Sequence, residues 1–70
     1  MNLAKLNDFL GAIFDYSKVI ELNPNNSKAY YNRGIIKDDL KQKNSACLDW
    51  SKAGELGYKD AYDLIKKYCN

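Results

Sequence analysis

Residues 12–22, AIFDYSKVIEL, and residues 46–56, ACLDWSKAGEL, are two versions of one segment. Offset by about 34 residues, they share Ala12/Ala46, Asp15/Asp49, Ser17/Ser51, Lys18/Lys52, Glu21/Glu55 and Leu22/Leu56. Tyr16/Trp50 and Val19/Ala53 are conservative pairs. An internal repeat at this period marks stacked supersecondary units. After the segment the register shortens by two, so that Lys28-Ala29-Tyr30 matches Asp60-Ala61-Tyr62. The change falls between units, as expected of a loop rather than of a core.

Within and around these segments the periodicity is helical. Phe9, Ala12, Ile13, Tyr16, Val19 and Ile20 follow i, i+3, i+4, i+7 spacing, which predicts a helix over Phe9–Leu22 with Asp8 as its N-cap and Pro24 as its stop. A second helix is expected from Ser27 to about Lys41, carrying Tyr30, Gly34, Ile36 and Leu40. A third runs from Asn44 or Ser45 to Leu56, with Ala46, Cys47, Trp50 and Ala53 inward and Gly57 ending it. The fourth starts at Asp60: Ala61, Leu64, Ile65 and Tyr68 make its apolar stripe, and Asp63, Lys66, Lys67 and Asn70 its polar side. No Val/Ile/Thr-rich alternation competes for a strand. Short connections make consecutive helices antiparallel. The fold class expected is all-α, with about four helices.

These residues resemble the tetratricopeptide repeat family. Over Ser27–Asp60, the family's pattern is met at Tyr30, Gly34, Ala46, Trp50 and Ala53, and Pro24 matches the proline that closes a preceding unit. The physical logic is that Gly34 and Ala46 let two helices approach closely while Tyr30 and Trp50 fill the wider space beside them. Three residues depart from the pattern. Arg33 and Lys37 stand where apolar or aromatic residues are usual, weakening the buried stripe, and Tyr58 replaces the closing proline. The resemblance implies a helix-turn-helix α-solenoid fragment: a truncated repeat over 1–26, a full repeat over 27–60 and a capping helix over 60–70. Residues 1–7 then correspond only to the end of an earlier helix. Phe9, Ile13 and Tyr16 lose most of their cover and form a candidate self-association face.

Composition narrows the chemistry. The chain is 46% apolar, 13% aromatic and 29% charged, a globular profile. With no histidine there is no Ser-His or Cys-His nucleophile pair and no His-ligated metal. A net charge of +2, with lysines scattered among acids, argues against a nucleic-acid stripe. A DNA-binding helix-turn-helix would also need a basic recognition helix, and Asp49 and Glu55 oppose Lys52 there. Asn2, Lys5, Asn7 and Asp8 interrupt any signal-peptide core, and no stretch approaches a membrane span. Cys47 and Cys69 form no CxxC pair. The expectation is a buried thiol and a tail thiol in a reducing, cytoplasmic setting, with an intermolecular disulfide through Cys69 as the alternative.

The resemblance also places a groove. First helices line the concave surface of such repeats, which here presents Lys28, Tyr31, Asn32, Ile35, Asp38 and Asp39, a surface suited to a peptide or partner helix. Some family members grip a C-terminal carboxylate with Lys, Asn and Arg from three successive first helices. Asn32 matches the central Asn, but Asp60, Asp63 and Leu64 stand where the basic pair belongs and would repel the carboxylate. Asp38-Asp39 point in different directions and make a solvated edge rather than an acid–base pair. No catalytic, cofactor or metal site is expected. The chain reads as a non-enzymatic protein-interaction or scaffolding module, with homo-oligomerisation through the N-terminal face as the alternative.

Overall fold

The computed structural model describes residues 3–69, with side chains from Leu6 onward. Asn2, Lys5 and Asn70, each given a role by the sequence pattern, lie outside the described side chains. Four helices follow one another: α1 (Leu3–Leu22), α2 (Ser27–Asp39), α3 (Lys43–Glu55) and α4 (Asp60–Tyr68). Among the described residues there is no strand, and the fold is all-α as expected.

The helix ends have identifiable causes. Pro24 sits in the turn after α1. The Asn26 side chain then caps α2 by accepting the Ala29 N–H at 3.1 Å. Asp39 ends α2 two residues before the expected Lys41, because Lys41 turns left-handed at φ 66°. Gln42 N–H then donates to Lys37 O at 2.9 Å and Lys41 N–H to Asp38 O at 3.0 Å, closing a Schellman motif. The same motif closes α3: Gly57 has φ 103°, Tyr58 N–H donates to Ala53 O, and Gly57 N–H donates to Gly54 O, both at 3.0 Å.

One expectation is corrected at the N-terminus. Asp8 is not a cap, and residues 3–7 are not the end of a separate helix; α1 runs unbroken from Leu3. The i, i+3 spacing of Leu3, Leu6 and Phe9 continues the apolar pattern upstream, so nothing at Asp8 breaks the helix.

Alternating contacts stack the helices: α2 packs on both α1 and α3, and α3 packs on α4. The core is Ala46, Trp50, Ala53 and Ala61, with Tyr30, Tyr31, Ile35, Leu64, Ile65 and Tyr68 around it. Trp50 is 1% exposed, the one large side chain fully buried among those described. It depends on Gly34, where a Cβ would lie 2.5 Å from Trp50 Nε1. Its indole N–H donates to Tyr31 O at 3.3 Å. At the α3–α4 interface Gly54 makes the same kind of room for the Tyr62 ring.

The cysteines overturn the expectation of two thiols. Cys47 on α3 and Cys69 just past α4 form a disulfide within the chain. Cys69 is half-buried rather than an exposed tail thiol, and Leu48, beside Cys47 in sequence, faces solvent instead of the core.

Candidate functional site

The side chains expected to line the groove all lie on α2, but they divide by direction. Lys28 and Asn32 lean toward α1, where they line a small crevice of about 180 Å³ with Tyr16, Val19, Asn26 and Ala29. Tyr31 leans toward the start of α4. Its ring stacks on Tyr58 with centroids 4.5 Å apart and planes 18° apart. Burial raises the Tyr31 pKa above its ordinary 10.0, with Tyr58, Asp60 and Asp63 adding to the effect. Ile35 packs against the core, Asp38 is half-buried and Asp39 is exposed.

The Tyr31–Tyr58 stack explains one departure from the family pattern. Tyr58 replaces the closing proline and supplies an aromatic plate beside α2. Tyr31 therefore has a place in the fold itself, beside its expected place in the groove.

Arg33 and Lys37, the other two departures, do not weaken the stripe as expected. Both turn to Asp49 on α3, which is only 5% exposed. Arg33 Nε donates to Asp49 Oδ2 at 2.8 Å and its Nη2 to Oδ1 at 2.7 Å, a bidentate fork. Lys37 Nζ lies 3.1 Å from Oδ2. Arg33 Nη1 reaches back to Ser17 Oγ on α1 at 3.1 Å, so one guanidinium ties three helices. The hydrogen bonds to Asp49 raise the Arg33 pKa further, against a smaller opposing effect of burial. Arg33 thus stays cationic throughout the accessible pH range. The sequence pattern did not reveal this cluster, although Asp15/Asp49 and Ser17/Ser51 were among the repeated pairs.

A wider cleft of about 440 Å³ lies between α3 and the end of α4, lined by Lys43, Asn44, Cys47, Leu48, Tyr68 and Cys69. Lys43 and Lys67 both approach the Tyr68 ring, at 5.5 and 5.3 Å from its centroid.

The expected self-association residues Phe9, Ile13 and Tyr16 are half-buried. The more exposed apolar side chains of α1 are Leu10, Phe14, Val19 and Leu22, the last 86% exposed. Among the described residues no cluster of His, Cys, Asp or Glu is arranged to hold a metal. No described helix is long and apolar enough to cross a membrane.

The sequence pattern of the tetratricopeptide repeat matches residues 15–48. The chain carries a tetratricopeptide repeat. The matched stretch runs from mid-α1 through α2 into α3. It therefore includes Ser17 and Arg33 and stops one residue short of Asp49. No curated protein and no solved structure matches the chain. The family is one of interaction and scaffolding modules, typically without catalysis.

Proposed function

We propose that this chain is a non-enzymatic protein-interaction module whose α2 face receives a peptide or helix of a partner protein. The observation that carries this reading is the crevice between α1 and α2. There a cation (Lys28) and an amide (Asn32) stand beside apolar Tyr16 and Val19. A mixed row of this kind suits an extended backbone with alternating side chains. Ile35, Asp38 and Asp39 continue the row along α2, and Tyr31 borders it toward α4.

The test uses a random-sequence peptide display library selected on the full-length oxidised chain, with the best binders mapped by backbone amide shifts. The reading predicts shifts at Lys28, Asn32, Ile35 and Asp39, and loss of binding in Asn32→Ala and Asp39→Lys. Shifts confined to the α3–α4 cleft would place the site elsewhere. Tyr31→Ala is a poor probe, since losing the stack on Tyr58 weakens the fold itself.

A second reading is homo-oligomerisation through α1, favoured by the exposure of Leu10, Phe14 and Leu22 beside Phe9, Ile13 and Tyr16. Phe9→Glu or Ile13→Glu would then convert an oligomer to monomer.

A further inference from the structure

Four positions of the repeated segment are buried in one copy and at least partly open in the other. In α3, Ala46, Asp49, Trp50 and Ala53 are all closed off from solvent. Helix α2 supplies that cover: Gly34 lies against Trp50, and Arg33 and Lys37 hold Asp49. In α1 the matching residues are Ala12, Asp15, Tyr16 and Val19. Ala12 and Tyr16 are half-buried, and Asp15 and Val19 are exposed. Asp15 pairs with no cation among the described residues.

We propose that this face of α1 binds a basic helix of a partner protein carrying the pattern Arg-Gly-x-x-Lys, as α2 does at Arg33, Gly34 and Lys37. This rests on the protein-interaction reading; the surface shares Tyr16 and Val19 with the α1–α2 crevice but centres on Asp15, which does not line that crevice. Charge complementarity defines the occupant. The two cations of such a helix would close on Asp15 as Arg33 and Lys37 close on Asp49. Its small residue would admit the Tyr16 ring as Gly34 admits Trp50.

A second copy of the chain fits less well. Helix α4 is the counterpart of α2, aligned through Ala29/Ala61. It places Ile65 and Cys69 where α2 has Arg33 and Lys37, and Lys66 where it has Gly34. No cation would meet Asp15, and a long side chain would meet Tyr16. Packing α1 on α1 offers Lys18, which Glu21 already engages at 3.5 Å.

The probe is a labelled peptide of residues 26–42, NSKAYYNRGIIKDDLKQ, titrated against the full-length oxidised chain by fluorescence anisotropy. Binding is expected, and Asp15→Lys should weaken it about tenfold or more. A peptide carrying Arg33→Glu and Lys37→Glu should prefer the Asp15→Lys chain to the wild type. Asp15 is exposed, so the variant should keep the wild-type melting profile. A chain carrying Asn32→Ala and Asp39→Lys should bind the peptide unchanged, which separates binding at Asp15 from binding on the α2 side of the crevice. No binding, or binding indifferent to Asp15, would overturn the proposal. A wild-type dimer that Asp15→Lys makes monomeric would overturn it too, in favour of a second copy on this face.

Discussion

At the scale of single residues, Asp49 does the most with the least exposure. A carboxylate this buried is tolerated because two cations and a bidentate fork compensate its lost hydration. Removing it leaves the Arg33 and Lys37 charges half-buried and unpaired. Asp49→Asn is therefore expected to destabilise the fold by about 3 kcal/mol, measured by urea unfolding. A loss near zero would mean the cluster is incidental. Tyr31 gives a prediction in pH. Its folded pKa is raised above the free value of 10.0, so the fold favours the neutral phenol. That contribution is complete below about pH 10 and is lost as pH climbs through the raised folded value. Thermal melts from pH 8 to 11 should fall less steeply for Tyr31→Phe than for the wild type. Parallel slopes would show that this phenol is not coupled to folding.

At the scale of elements, α4 is the helix least able to stand alone. Nine residues are well below the length at which an isolated helix persists. Ala61 is its one fully buried residue. The Cys47–Cys69 bond fastens its far end to α3 across a sequence separation of 22. Closing a loop of that size contributes about 3 kcal/mol through the unfolded chain. Reduction by a dithiol should thus lower the melting temperature by about 10 °C or more and release α4 first. An unchanged melt in reductant would contradict that role.

The elements themselves were mostly legible from sequence. Pro24 and Gly57 act through local backbone chemistry, and so do their signals. The start of α1 was not legible, because Asp8 resembles a cap although the apolar spacing continues through Leu6. The Asp49 cluster and the disulfide were also hidden. Each joins residues on different helices, and only tertiary packing brings them together. Comparison with the family pattern even made Arg33 and Lys37 look like losses. Their compensation lay sixteen residues away from Arg33, at a position the repeat had already marked by pairing Asp15 with Asp49. Of the proposed groove, the chain order of α2 gave the row of residues. It could not give the turn of Tyr31 toward Tyr58.

At the scale of the whole molecule, the chain measures 34 × 30 × 15 Å. So thin a slab leaves every helix a face toward solvent, which is why the fully closed core comes down to Trp50 and three alanines. Helices α2 and α3 form the enclosed pair, while α1 keeps the chemistry of a covered helix on a face that remains partly open. The function proposed for α1 depends on that asymmetry. Backbone amide hydrogen exchange on the dilute, oxidised chain reads it without any ligand in hand. Amides of Ala46–Ala53 should be among the slowest to exchange, and those around Ala12–Tyr16 should exchange markedly faster. Equal protection of the two segments would contradict the asymmetry, since α1 would then be as enclosed as α3.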